Sequence, residues 1–404
     1  MNILIILSYV PYPVKAGGTQ AVYSMVNILR KQVHISIVIN MPKSQESNLN
    51  ALKEIWTDVA FFPFYPKRNP LYYLMRFFQI KVSTFFRMKS VQTLHSPFEN
   101  YTSEWIEYVN AIVYKISPDI VQTEFYNNQD IVYALPDWLK KIYVQHEIHY
   151  VVNKSWIQSI DLWDNPVVQA MYRKMRAEEI AAMNSYNAVF TLNSPDKERL
   201  ERDGVVSPIY CSPVGVTPAK ERNSCEFSDK LIFVGTGGHP PNVEALEWFV
   251  ENVWRHILAQ YPNISLHVIG FWKKKKQEQF RNTANLYFEG FVSSLQETFR
   301  GGISIVPILR GSGIRMKILD AVNYGTPFIS TSIGALGMGF EDGRDCFIAD
   351  TAEDFTQKLL LLIQDEGLRK RFYDSSFQVF TKKYSIQALV DKRVNLYKEI
   401  LSHT

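Results

Sequence analysis

Short apolar runs alternate with helical stripes along most of the chain. Ile3 to Leu7 is unbroken and apolar, the pattern of a strand buried on both faces of a parallel sheet. A loop with Pro11, Pro13 and Gly17-Gly18 follows, and Thr19 is placed to cap a helix whose Val22, Met25, Val26 and Leu29 share one face. His34 to Asn40 reads as the second strand. Repeated strand, loop, helix, strand units build a doubly wound α/β sheet with right-handed crossovers. Further strands are expected at Asp119 to Thr123, Ile142 to Gln145 and Ala188 to Leu192, the last after a long helix near Val168 to Asn184.

The alternation restarts at Leu231. LIFVGTGGHPPNVEALEWFVENVW reads as a strand, a glycine and proline turn, and a helix capped by Asn242 with Val243, Leu246, Val250 and Val253 inward. Later strands are expected at Ser265 to Ile269, Leu286 to Phe288 and Ile303 to Val306, and later helices near Ala352 to Gln364 and Ile386 to Leu401. The polar, breaker-rich stretch around 208 to 230 separates two Rossmann-like halves, as a chain of 404 residues predicts.

The segment GSGIRMKILDAVNYGTPFISTSIGALGM, Gly311 to Met338, carries the most chemistry. Gly311 and Gly313 open a turn, and Ile314, Ile318, Leu319 and Val322 recur at helical spacing. That leaves Arg315, Lys317 and Asp320 near the helix start and on its exposed flank. A helix N-terminus behind a glycine turn, with two cations beside it, is an anion site. The same residues also fit an ordinary Lys317 and Asp320 surface pair at i, i+3.

Other features narrow the class. A net charge of +4, with no basic block inside a nucleic-acid motif, argues against nucleic acid as a partner. Cys211, Cys225 and Cys346 are odd in number and lack metal-ligand spacing, which suits a cytoplasmic, reducing compartment. There is no Asp-x-Asp motif, no His or carboxylate cluster with metal spacing and no phosphate-loop Gly-x4-Gly-Lys-Ser/Thr, so no metal site and no ATPase is expected. The N-terminus lacks a basic leader, and no run of about 18 apolar residues is long enough to span a bilayer. Between Asp58 and Glu99 no acidic residue occurs, while Lys67, Arg68, Arg76, Lys81, Arg87 and Lys89 interleave with Tyr72, Tyr73, Phe77, Phe78, Phe85 and Phe86. That mixture, over residues 66–90, suits an anionic membrane surface or a lipid diphosphate acceptor, and equally an inserted helical pair packed on the sheet. The run Lys273 to Lys276 reads as a solvated face.

The Gly311 to Met338 segment resembles the donor-binding signature of the GT-B glycosyltransferases, specifically the retaining family 4 group of bacterial polysaccharide and lipid-linked glycan synthesis. The resemblance implies an α/β, GT-B fold of two Rossmann-like doubly wound domains facing a central cleft. It sets an acceptor domain at 1–208, a nucleotide-sugar domain at 209–385 and a last helix at 386–404 crossing back to the first domain. In that family two glutamates eight positions apart bracket the helix start; here they fall on Ser312 and Asp320. Asp320 keeps a carboxylate for the ribose hydroxyls, whereas Ser312 departs from the pattern. The order glycine, x, glycine, x, Arg315, x, Lys317, x, Leu319, Asp320, Ala321 resembles a known sub-pattern.

The resemblance further implies that Arg315 and Lys317 offset charge on a departing diphosphate and that Gly17 and Gly18 bring bare backbone to the donor. Gly235, Thr236 and Gly237 stand at the equivalent turn of the second half, with His239 and Asn242 beside it. Gly290, Phe291 and Val292 match the loop that reads the nucleobase. His146, after a strand of the first half, falls where family members often place a histidine near the acceptor and the reacting carbon, with Glu124 a weaker candidate. The expected partners are a nucleoside diphosphate sugar and a glycan or lipid-linked acceptor, with no cofactor, in the cytoplasm or peripherally on the inner face of the cell membrane. Two alternatives share the fold: a non-catalytic subunit that binds glycan or protein, motivated by Ser312, and a nucleotide-sugar epimerase.

Overall fold

The computed structural model describes residues 1–14, 17–66, 102–159 and 161–402. The chain divides into two compact units, one of Met1–Pro13, Val26–Ser212 and Asp391–Thr404, the other of Val14–Met25 and Pro213–Val390. The expected limits are 208/209 and 385/386; the compact units divide at 212/213 and 390/391, and residues 14–25 of the expected first domain fall in the second unit. Val14–Met25 goes with the second unit because its residues pack there, as at Gln20 and Gly17 below. The basic and aromatic segment lies, from residue 67 onward, outside the described residues.

In the first unit the strands β1 (Asn2–Leu7), β2 (His34–Asn40), β3 (Ala60–Phe64), β4 (Ile120–Glu124), β5 (Lys140–Gln145), β6 (Ala188–Thr191) and β7 (Ile209–Cys211) form one parallel sheet. Their order is β3-β2-β1-β4-β5-β6-β7. The sense of winding reverses between β1 and β4, the switch point outside whose strand ends open α/β sheets bind ligands. Ile3 to Leu7 are all buried, each contributing about 1.5–3 kcal/mol against about 1–2 kcal/mol of backbone ordering. Leu4 and Ile6 pack with Trp105, Val109 and Val113 of a helix at Ser103–Ile116. A second core layer sets Tyr143 and Val189 of the sheet against Tyr172, Met175 and Met183 of the helix Pro166–Met183.

In the second unit, β8 (Lys230–Val234), β9 (Ser265–Ile269), β10 (Leu286–Gly290), β11 (Gly302–Val306), β12 (Phe328–Ser330) and β13 (Phe347–Ile348) pair in parallel. The order is β10-β9-β8-β11-β12-β13, with the switch point between β8 and β11. The fold class is therefore the expected α/β one, with two Rossmann-like sheets. Sequence reading missed β3, β7 and β13: β3 carries a proline, and β7 and β13 are only three and two residues long. Neither expected helix cap stands. Thr19 lies inside the helix α1 (Gly17–Leu29), and Asn242 lies inside α2 (Pro240–Phe249), whose cap position is His239.

The last helix, α3 (Ile386–Ser402), anchors its C-terminal part to the first unit through a buried cation. Arg393 is 2% exposed; its Nε donates to Ser212 Oγ at 2.8 Å and its Nη2 to the Ser212 carbonyl at 3.0 Å. Its guanidinium also lies over the Phe190 ring at 5.0 Å. Tyr397 adds a hydrogen bond to Gln122 of β4 and a parallel ring contact with Phe190 at 5.8 Å. Substituting Arg393→Ala removes charged hydrogen bonds and leaves Ser212 buried without them, a cost of about 2–4 kcal/mol. Thermal unfolding is expected to show a clearly lowered midpoint, and an unchanged midpoint would deny Arg393 this anchoring role.

Candidate functional site

The second unit gathers its polar residues at the carboxyl ends of β8 and β11. After β11 the chain runs through Gly311 and Gly313 into the helix α4 (Met316–Asn323). Gly311 has φ 122°, and an added Cβ would stand 2.7 Å from Arg315 Nη2, so only glycine lets the Arg315 side chain fold back over this turn. There Arg315 Nη1 donates to the Ser312 carbonyl at 2.5 Å. Ser312 and Gly313 are both buried, and Arg315 itself occupies the cap position of α4.

Lys317 and Asp320 do not lie on an exposed flank. Seven of the eight residues of α4, Asp320 among them, are buried, because the helix is covered on both sides of its apolar stripe. Lys317 is half-buried as a residue, with its ammonium enclosed. Its Nζ donates to Asn242 Oδ1 at 2.9 Å and lies 4.9 Å from the Phe233 ring centre. Burial, with the neighbouring Arg315 guanidinium, pushes its pKa down to about 7. Asp320 is 5% exposed, and its Oδ1 accepts from Gln20 Nε2 at 2.6 Å. Burial pushes its pKa up to about 7, the Gln20 bond offsetting only part of that.

Asn242 is the residue that sequence reading misjudged. Its Nδ2 donates to the Thr236 carbonyl at 3.1 Å, which fixes the amide so that Oδ1 faces Lys317. Gly235 makes room for it: a Cβ there would fall 2.7 Å from Asn242 Cγ. The turn Gly235, Thr236, Gly237 is otherwise spent on structure. Gly235 N–H donates to the Ile269 carbonyl at 2.8 Å and Gly237 N–H to that of Phe271 at 3.0 Å, while Trp272 Nε1 donates to the Gly235 carbonyl. Those two glycine N–H groups therefore have protein partners, and the turn acts by placing Asn242.

Gly17 and Gly18 are the first two residues of α1, and Met316 stands 3.5 Å from where a Gly17 Cβ would lie. Gln20, on the next turn, was not singled out from sequence; its spacing from the glycines was the only signal. Gly290 belongs to β10, and its carbonyl accepts from Gly270 N–H at 2.7 Å, so it is not a loop residue with a bare carbonyl. Phe291 is half-exposed and parallel to Phe271, ring centres 6.3 Å apart, and Val292 packs on the cluster of Ile232, Ile269, Phe299 and Ala321. The structure thus brings Gly17, Gln20, Asn242, Arg315, Lys317 and Asp320 together at α4, and Gly18 is placed only as the second residue of α1.

His146 belongs to the first unit, one residue beyond β5. Its Nε2 is 2.6 Å from Oε2 of Glu124, the last residue of β4, and both side chains are nearly buried. Phe125, at φ 67°, lies flat on the imidazole with ring centres 3.8 Å apart. Asn128 Nδ2 donates to the Glu124 carbonyl at 2.9 Å and Ser8 Oγ to Asn128 Oδ1 at 2.7 Å, tying β1 to the same corner. Nearby, buried Glu179 accepts from His149 N–H and Tyr150 N–H at 2.9 Å each, and burial pushes its pKa up to about 8. It caps the helix that His149 begins, a role hidden from sequence by a separation of 30 positions. Cys211, Cys225 and Cys346 are all free. Among the described residues no group of three or more His, Cys, Asp or Glu is placed to hold a metal, and no helix is long and apolar enough to cross a membrane.

Comparison with known proteins bears on the fold and on the second unit. Residues 228–365 match the family model of the Glycosyl transferases group 1. A protein of 44.6 kDa from the cps region of Klebsiella pneumoniae is 21% identical over 407 residues, covering 95% of this chain and 96% of that protein. Among solved structures, sucrose-phosphate synthase from Thermosynechococcus elongatus superposes with a TM-score of 0.74 at 12% identity over all of both chains. A TarM mutant from S. aureus, in complex with fondaparinux, alpha-GlcNAc-glycerol and UDP, does so at 0.69 and 12% identity, over 98% of this chain and 100% of its own. HepE from Anabaena, in complex with UDP and glucose, gives 0.66 at 11% identity, over 98% of this chain and 99% of its own. Residues 228–365 thus carry a glycosyl transferases group 1 domain, and the solved structures share the two-sheet α/β fold of the whole chain.

Proposed function

We propose that this protein is a retaining, metal-independent hexosyltransferase that works in the cytoplasm on cell-surface polysaccharide. It moves a hexose from a nucleoside diphosphate sugar to a growing glycan or lipid-linked acceptor. The observation that carries the reading is the pair of cations, Arg315 and Lys317, held at the start of α4 beside buried Asp320. A helix start offers N–H groups that have no partner within the helix, and two adjoining cations complete a site for a diphosphate. UDP as the carrier is supported by the TarM and HepE complexes, and a polysaccharide product by the cps-region relative.

In this reading the bond from the sugar's anomeric carbon to the diphosphate breaks while a bond to the acceptor hydroxyl forms on the same face, and the acceptor proton passes to the departing phosphate oxygen. The protein's part is electrostatic and positional. Arg315 and Lys317 offset the charge that grows on the leaving diphosphate, the role a metal plays elsewhere. Asp320 orients the ribose hydroxyls, for which an ionised carboxylate with one oxygen already fixed by Gln20 is a directed acceptor. His146 receives a sugar hydroxyl.

Two measurements test this. Thermal unfolding with UDP, GDP and ADP in turn is expected to show one selective rise in midpoint, since a ligand at 100 times its dissociation constant adds about 2.7 kcal/mol; no response to any of them would favour the non-catalytic alternative. With the responsive sugar donor, Arg315→Ala and Lys317→Met are each expected to lower kcat about 10²–10³-fold while the fold is kept. Transfer at the wild-type rate by either variant would remove that residue from the leaving-group site.

A further inference from the structure

The first unit carries a hydrogen-bond chain that ends on His146. Tyr397 O–H donates to Gln122 Oε1, both groups buried. That bond fixes the amide, so Gln122 Nε2 faces Glu124 and donates to its Oε1 at 2.5 Å. The second carboxylate oxygen, Oε2, is then left for His146 Nε2 at 2.6 Å. A carboxylate only accepts, so the shared proton sits on His146 Nε2 whether or not the ring is charged. In the neutral ring Nδ1 is consequently the bare nitrogen, and no hydrogen bond within the described residues reaches it. Phe125 stacked on one face and the near-burial of both side chains hold the ring in its plane. The pair stands at the carboxyl ends of β4 and β5, beside the switch point of this sheet.

We propose that Glu124 is a positioning residue that locks His146 in its Nε2–H form, making Nδ1 a fixed acceptor for one sugar hydroxyl. The proposal rests on the reading of His146 as a substrate-facing residue and adds which nitrogen faces substrate and what sets it. A ring free to exchange tautomers presents the acceptor nitrogen only part of the time, whereas a carboxylate behind it removes the donor form.

The chain also dictates an unusual outcome for the isosteric variant Glu124→Gln. Gln122 Nε2 still demands an oxygen, so the new amide turns its carbonyl there and its NH2 toward His146. The imidazole must then accept at Nε2 and carry its proton on Nδ1. Nitrogen-15 spectra of the histidine rings in the full-length protein, with the His146 signals assigned through His146→Gln, read this directly. The wild type is expected in the Nε2–H form and Glu124→Gln in the Nδ1–H form, with kcat for sugar transfer lowered about tenfold or more and donor affinity little changed. A wild-type Nδ1–H ring, or a tautomer indifferent to Glu124→Gln, would overturn the proposal. Wild-type transfer by His146→Ala would instead overturn the role of His146, and that activity is read separately from the spectrum.

Discussion

A buried ammonium is costly unless something polar meets it, and much of the second unit's local geometry follows from holding Lys317. Asn242 supplies the oxygen, the Thr236 carbonyl orients the Asn242 amide, and Gly235 leaves the space that the amide occupies. The glycine turn after β8 is thereby tied to the glycine turn after β11, across the point where the sheet reverses its winding. Burial, with the Arg315 guanidinium nearby, lowers its pKa to about 7, and one hydrogen bond leaves the ammonium less satisfied than three would. Asp320 is under-satisfied in the same way, with Gln20 on one oxygen and a pKa of about 7. In the proposed function these two groups meet a ligand that brings oxygens to a cation and hydroxyls to a carboxylate.

The first unit solves the opposite problem. Glu124 is equally buried, yet Gln122, His146 and the Asn128 amide on its backbone occupy it fully. Glu179 likewise takes two backbone N–H groups of a helix start. These two carboxylates are spent on shaping the strand ends, and the imidazole of His146 is the group they leave oriented there.

Sequence alone gave access to the two sheets because strands buried on both faces are unbroken apolar runs, as in Ile3 to Leu7 and Ile303 to Val306. Short edge elements such as Phe347–Ile348 carry no such signal. Around the site, the glycines and the Arg315, Lys317, Asp320 spacing were legible as a resemblance, since they are local in the chain. What was not legible was long-range: that Asn242 serves Lys317 across 75 residues, and Gln20 serves Asp320 across 300. An asparagine after Pro-Pro reads as a helix cap because capping is the local role of that residue type. Helical periodicity also set Lys317 and Asp320 outside, since a polar residue on a helix is usually solvated, and only the tertiary covering of α4 reverses that.

The protonation of Lys317 gives the most direct measurement. With a pKa of about 7, it is mostly neutral at pH 8, whereas Asp320 at that pH is already mostly ionised. A diphosphate settling beside Lys317 favours the ammonium, so donor binding at pH 8 must draw a proton from solution, while Asp320 has little left to release. Calorimetric titration of the intact sugar donor, whose diphosphate stays ionised throughout, in buffers of differing ionisation enthalpy counts that proton. The expected result is uptake approaching about one proton per donor bound, lost in Lys317→Met. Tight binding with no proton uptake would contradict the placement of the diphosphate at Lys317.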